Sequence, residues 1–462
     1  MQQISFLAAL TPIVVLITSI YLTVAVYHIN INYGLAFAVL VGMAVALQAG
    51  VPVQKIWGMI IEGVKPTVYI LLLFLLIGVL IGTWHLSGTI PAMIYYGLHL
   101  VHPQTFYLSS FIICCIVSML LGTSMGTVST VGVALMGIAH RLGLSLPATA
   151  GAVVSGAFFG DRSSPLSSSA NLTAVITGTE LYSNLRYMIN TIIAPVLISA
   201  ATFYLLGQWA KHPHLSGQLS ILSQLARSFD LNPVVLLPPL LVLILSLLRV
   251  NTQRVLMIGA LLGMVVAVYW QHAGLAEIIR TAVMGYHGPA RLGELNQVIK
   301  GGGMVSFINM DLVIIFSAAL TGILEGIGAL NLLLKRILMS VRSLRSLTIL
   351  SIVSSILMLF VTANQTLAII IPGKVLLPLY RQFSFAPKNL ARNLADSGVM
   401  VVPLIPWSVA GLICANVLGV STMRYLPFAL LCWVTPLMAL LVSLLTKTNP
   451  QRVENEGPLS GS

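Results

Sequence analysis

Apolar runs of about 20 residues, divided by short polar connections, recur from one end of this 462-residue chain to the other. Each run is about the length that an α-helix needs to cross ~30 Å of hydrocarbon. Only 7% of the residues are charged and mean hydropathy is +0.99, whereas soluble domains carry about 25% charged residues. Soluble globular, disordered, collagen-like and disulfide-rich secreted classes are excluded by that deficit. The expected fold is an all-α polytopic membrane protein with about 10–12 transmembrane helices, placed in a cell membrane, the bacterial inner membrane by expectation, with the lipid bilayer as its first partner.

The chain carries 23 Lys and Arg against 11 Asp and Glu, a net charge of +12. These basic residues lie between apolar runs and not in a patch interleaved with aromatics, which is the pattern of cytoplasmic loops. Nucleic acid is therefore not an expected partner. The densest basic loop, with Lys335, Arg336, Arg342 and Arg345, is placed in the cytoplasm. The stretch 85–104 has no Lys or Arg but holds His85, His99 and His102, and reads as an outer segment with interfacial imidazoles. Cys114, Cys115, Cys414 and Cys432 all fall in apolar runs, as buried free thiols do. The N-terminus has no basic n-region and reads as a first span instead of a cleaved signal.

Two regions interrupt the apolar pattern with Gly, Ser, Thr, Asn and Pro. The first contains GTSMGTVSTVG at 122–132 and GAVVSGAFFGDRSSPLSSSANLTA at 151–174; the second contains TANQTLAIIIPGK at 362–374 and NLARNLADSGVMVVPLIPWSVAG at 389–411. Non-helical backbone at membrane depth survives only inside protein or beside water. Thr123 to Thr127 resembles Thr362 to Thr366, and each is followed by an aspartate and a Pro-Leu pair: Asp161 with Pro165-Leu166, Asp396 with Pro403-Leu404. Paired broken segments in corresponding places point to a transporter's binding site. The expected organisation is an N-terminal half at 1–207, middle spans and a polar connection at 208–310, a C-terminal half at 311–446, and a polar disordered tail at 447–462.

Few acids are present, and one at membrane depth costs a few kcal/mol. Asp161 and Asp396 both lie in broken apolar segments. Ser155, Ser163, Ser164, Ser167, Ser168, Ser169, Thr173 and Asn171 surround the first and Asn393, Ser397 and Ser408 the second, with Thr123, Ser124, Thr362, Asn364 and Gln365 in the matching breaks. Oxygen-rich clusters around one carboxylate suit a hard cation, which makes Asp161 and Asp396 candidate Na⁺ ligands. The alternative is that the two aspartates cap half-helices or pair with Arg162 and Arg392. Glu325, inside an apolar span, is a possible proton carrier; Glu62, Glu180, Glu277 and Glu294 read as solvated loop charges. No GxxxxGK[ST], HExxH or GxSxG signature is present. The chain is not expected to be an enzyme, and it needs no cofactor beyond Na⁺ and H⁺ as transported or coupling ions.

The blocks LIGTWHLSGTIPAMIYYGL (80–98), GTSMGTVSTVGVALMG, GAVVSGAFFGDRSSPLSSSANL and APKNLARNLADSGVMVVPLIPWS together resemble the NhaC-type Na⁺/H⁺ antiporters, in order and over nearly the whole chain. The resemblance implies a secondary transporter of the broad ion-transporter superfamily, with two inverted repeats, re-entrant hairpins and a homodimer working by an elevator-like movement.

Against the family's pattern Gly-Asp-Lys-Met-Ser-Pro-Leu-Ser-Asp-Thr-Thr-Asn, this chain keeps Gly160, Asp161, Ser164, Pro165, Leu166, Ser167 and Asn171. Its second acid is Ser168, and the threonines are Ser169 and Ala170. The family's Glu-Asp pair is Ala395-Asp396, its Pro-Leu-Ile-Pro-Trp-Asn ends in Ser408, and its Thr-Gly-Asp-Gln is Thr362-Ala363-Asn364-Gln365. Neutral residues at these places would suit a solute that brings its own charge. Two functions follow: cation/proton antiport as the main reading, and Na⁺- or H⁺-coupled transport of a small amino acid or organic acid as the alternative.

Overall fold

The computed structural model describes residues 5–27, 29–100, 102–210, 226–248, 250–288, 301–330, 332 and 343–445. Lys300, Lys335, Arg336, Arg342, Glu294 and the tail after Thr446 lie outside these residues. Hydrocarbon offers no water to backbone amides, so each apolar run closes its own hydrogen bonds as a helix. Among the described residues, seven helices are long and apolar enough to cross a membrane. Two further pairs are bent by 46° and 57° at a short break, and three shorter apolar helices accompany them.

In chain order these are α1 (Phe6–Tyr21), α2 (Ile31–Gln48), α3 (Val53–Val64), α4 (Val68–Leu86), α5 (Thr89–Leu100) and α6 (Phe106–Leu121). A short α7 (Ser124–Thr127) runs through a π-turn into α8 (Val133–Arg141), followed by α9 (Leu146–Ser163), α10 (Ser168–Thr177) and α11 (Leu181–Trp209). Then come α12 (Leu237–Leu247), α13 (Thr252–Gln271), α14 (Leu275–Met284), α15 (Ile308–Gly326), α16 (Leu344–Thr362), α17 (Gln365–Gln382), α18 (Pro387–Leu394), α19 (Val409–Leu418) and α20 (Leu430–Leu445).

The chain builds one plan twice, and the caps show it. α6 ends in left-handed Gly122 (φ 67°) and α16 in left-handed Ala363 (φ 53°). Thr123 and Asn364 follow, each with extended backbone, and each caps the next helix through its side chain. α9 and α18 both start with a proline in the first turn. α10 and α19 are ten residues each, capped by Ser167 and Ser408 and ended by Gly178 (φ 65°) and Gly419 (φ 66°). At 1.5 Å per residue, ten residues reach about 15 Å, half a bilayer. The helices that precede these hairpins repeat too: α2, α3 and α4 in the first copy answer to α13, α14 and α15 in the second.

The copies exchange partners. Amphipathic α3 packs on α15, and its counterpart α14 packs on α4. A Cβ on Gly322 would lie 2.2 Å from the Met59 carbonyl, and one on Gly82 would lie 2.8 Å from that of Thr281, so the backbones touch at matching places. The end of the polar connection, at 301–303, packs against α4. Gly303 N–H donates to the Gly78 carbonyl at 2.7 Å. Gly302 holds φ 72°, and a Cβ there would lie 2.2 Å from the Gly82 nitrogen. Only glycine fits that wedge.

His85 departs from the interfacial placement. It is 4% exposed, stacks on Tyr286 with ring centroids 6.2 Å apart, and lines an internal cavity. Residues 89–100 form a helix and do not make the loop expected there, and the last turn of α4 is buried. His102 is exposed, and the side chain of His99 lies outside what is described. Cys114, Cys414 and Cys432 are buried free thiols, with Cys115 half-buried.

Candidate functional site

The crossing of α6 and α9 sets the position of Asp161. Ser118 on α6 donates through Oγ to the Gly156 carbonyl at 2.8 Å and accepts from Gly160 N–H at 3.0 Å. A Cβ on Gly160 would lie 2.1 Å from the Ser118 carbonyl carbon, so only a bare backbone fits here. The next residue is Asp161, 6% exposed, in the last turn of α9 just before the break at Ser164.

Four neutral groups donate to its carboxylate. Ser167 Oγ reaches Oδ1 at 2.9 Å, and Ser169 Oγ reaches the same oxygen at 3.1 Å. Ser124 Oγ reaches Oδ2 at 3.1 Å and Gln365 Nε2 reaches it at 3.2 Å. Gln365 also donates to Ser169 Oγ at 2.7 Å, which ties the second copy's break to the first copy's hairpin. Ser124, Ser169 and Gln365 all stand in the first turns of their helices, so the N-terminal ends of α7, α10 and α17 converge on one carboxylate. Those ends carry positive partial charge and favour an anion.

Asp396 has a different environment. It sits in a π-turn after α18, and its Oδ1 accepts from Arg162 Nε at 2.6 Å and Nη2 at 2.5 Å, with both side chains fully buried. Arg162 also donates to Ser163 Oγ, the Met188 carbonyl and Thr191 Oγ1. Breaking one partner of a buried pair costs about 3–5 kcal/mol. Arg392 turns to the side-chain oxygen of Asn393 and to the Tyr187 ring. Since Arg162 follows Asp161 directly, the two aspartates lie close together, joined by one arginine that neutralises only Asp396.

The remaining sequence-predicted residues divide by role. Ser124, Ser167 and Gln365 join Asp161 in the cluster. Thr123 caps α7, Asn364 caps α17, and Ser408 caps α19 while donating to the Val402 and Ile405 carbonyls. Thr362 donates to the Met358 carbonyl within its own helix. Asn171 donates to the Pro165 and Ser167 carbonyls and so closes the hairpin tip, and Ser168 is exposed beside it. Glu325 is exposed at the end of α15, outside the cluster. Sequence reasoning counts Ser169 among the hydroxyls around Asp161 and offers Arg162 as an aspartate's partner, but it does not find that Arg162 reaches across to Asp396. Ser169 carried a usable signal, because N-cap Ser167 places the residue two positions on beside any group that the cap holds.

Among the described residues, no group of three or more His, Cys, Asp and Glu side chains could hold a metal ion, which leaves no site of transition-metal type there. The Asp161 cluster offers carboxylate, hydroxyl and amide oxygens, the donor set of a hard cation. Its hydroxyls rotate, donating to the bare carboxylate or turning lone pairs to a cation, and the Gln365 amide has an oxygen to offer as well.

The Na⁺/H⁺ antiporter family matches residues 3–170 and 156–446. The Na⁺/H⁺ antiporter NhaC of Alkalihalophilus pseudofirmus is 36% identical, over 83% of this chain and 84% of the relative. The NhaC of Bacillus subtilis is 34% identical over 91% and 93%. The malate-2H⁺/Na⁺-lactate antiporter of Bacillus subtilis is 32% identical over 90% and 91%.

Proposed function

This chain belongs to the Na⁺/H⁺ antiporter family, and from that membership we propose that it exchanges Na⁺ for H⁺ across the cell membrane, with Asp161 as the shared binding group. One observation carries the assignment: Asp161 is buried, faces four neutral donors from both copies of the repeat, and has no basic partner among the described residues. A buried carboxylate without a counter-charge is costly, and either a proton or a cation removes that cost. The two therefore compete for one site, which is the simplest basis for exchange. Ser124, Ser167, Ser169 and Gln365 supply neutral ligands. Asp396 serves as the fixed counter-ion of Arg162 and takes no part in ion binding.

Purified protein in proteoliposomes with a trapped pH dye tests this reading, with Na⁺, Li⁺ and K⁺ scanned against amino acids and dicarboxylates. Proton movement driven by Na⁺ in wild type and absent in Asp161→Asn is the expected result. The second reading is coupled transport of a small organic acid. It is favoured by the three helix N-termini that meet at the site and by neutral Ser168, Asn364 and Ala395, and one relative is named for malate and lactate. Uptake of a dicarboxylate with no Na⁺-driven proton movement would establish it in place of the first.

A further inference from the structure

Two cavities lie between the copies of the repeat, and they differ in chemistry. The first, about 440 Å³, is lined among others by Ile81, His85, His140 and His287, with no carboxylate among the described residues of its wall. The second, about 340 Å³, is lined among others by Glu62, Ser317, Thr321, Glu325 and Asn364, with no basic residue among the described residues of its wall. His85 and Glu325 hold matching positions, three residues before Gly88 and Gly328, which share φ 75°. The second cavity reaches the break that leads to Asp161: Thr362, Ala363 and Asn364 line it, and the next residue is Gln365, which donates to Asp161.

Ser317 adds a second observation on this wall. Its side chain is 7% exposed, its hydroxyl has no partner, and it lines the cavity midway along an apolar span. A buried hydroxyl left without a partner costs about 1–3 kcal/mol, and a rotation of the Ser317 side chain towards water or an ion's hydration shell in the cavity would offset it. Glu62 and Glu325 are both exposed on the same wall.

We propose that this second cavity is the aqueous access route for the transported cation, with Glu62 and Glu325 as its attracting mouth and Ser317 as a wetted ligand on the way to Asp161. The route rests on the assignment of Asp161 as the exchange site. Two carboxylates in a cleft with low-dielectric walls concentrate cations and repel anions. In this role Glu325 holds passing cations in water, and no proton need transfer through it.

The test is Ser317→Cys in full-length protein whose native cysteines are replaced, reconstituted in proteoliposomes, with Thr366→Cys as the exposed control. Membrane-impermeant thiol reagents of opposite charge are compared. The expected result is modification of position 317, with the cationic reagent faster than the anionic one by about tenfold. Glu62→Gln with Glu325→Gln should abolish that preference, and Na⁺ should slow modification more than choline does. A position 317 that stays unreactive while position 366 reacts would overturn the proposal, as would a charge preference unchanged in the double variant. Should Ser317→Cys fail to assemble, Thr321→Cys on the same wall reads the same outcome. Modification needs no turnover. Reactivity without Na⁺/H⁺ exchange keeps the route and removes the exchange assignment, whereas exchange without reactivity removes the route alone.

Discussion

Asp161 and Asp396 look alike in sequence, yet Asp161→Asn and Asp396→Asn are expected to fail in opposite ways. In Asp396→Asn the Arg162 guanidinium stays buried and keeps its bonds to Ser163, Met188 and Thr191, but it loses the charge that neutralises it. Removing one partner of a buried pair costs about 3–5 kcal/mol. Domains of 150–250 residues lose about 2 °C or more per kcal/mol, so a fall of roughly 6–10 °C in melting temperature is an upper expectation for this longer chain. Asp161→Asn removes a charge that has no partner. It keeps the Oδ1 acceptor for Ser167 and Ser169, but turns an amide donor towards Ser124 or Gln365, at a cost of about 1 kcal/mol for the lost bonds less the relief of the buried charge. Melting in detergent followed by size exclusion, beside exchange in proteoliposomes, separates the two. Asp161→Asn should melt within about 2 °C of wild type and exchange nothing; Asp396→Asn should melt several degrees lower, with its surviving fraction still exchanging. An Asp396→Asn protein of wild-type stability that had lost Na⁺ dependence would refute the structural role of the pair. Equal destabilisation by both substitutions would refute the reasoning as a whole.

Ser169→Ala removes an oxygen that turns its lone pair to the bound cation, and the acceptor of Gln365; a contact with a charged group is worth about 1.5–3 kcal/mol, so the apparent KM for Na⁺ should rise about tenfold or more, read from initial rates of dye quenching. Ser168→Asp restores an acid at the exposed start of α10: cation exchange should persist or improve, and uptake of any anionic solute should collapse by repulsion. Loss of exchange with retained solute uptake would contradict both readings of function. Gly160→Ala forces a Cβ into the Ser118 backbone, and a repacking cost of about 1–3 kcal/mol or more should lower the yield of folded protein and shift Asp161. Transport should fall at low external pH, because a protonated Asp161 cannot also hold the cation; a rate that climbs steadily with acidity would exclude competition at one site.

Class and plan were legible in the chain itself. Apolar runs long enough to span, and Gly/Ser/Pro breaks inside them, follow from local composition, because hydrocarbon forces every backbone group to find its partner nearby. The caps are local too, and so Ser167, Ser408, Thr123 and Asn364 could be found by position. Among the described residues, the seven helices long enough to span, the two bent pairs and the three shorter helices correspond to the apolar runs that composition marks out. What tertiary structure alone decided is which carboxylate is neutralised. Arg162 and Asp396 stand 234 positions apart in sequence, and nothing near either residue says whether Arg162 turns to Asp161 beside it or across to the other copy. The depth of His85 and the wedge of Gly302 and Gly303 against α4 escaped local reading for the same reason. Each depends on one copy of the repeat packing into the other. Side-chain partners across such an interface are set by the shape of both surfaces together, and a string of residues carries each surface only separately.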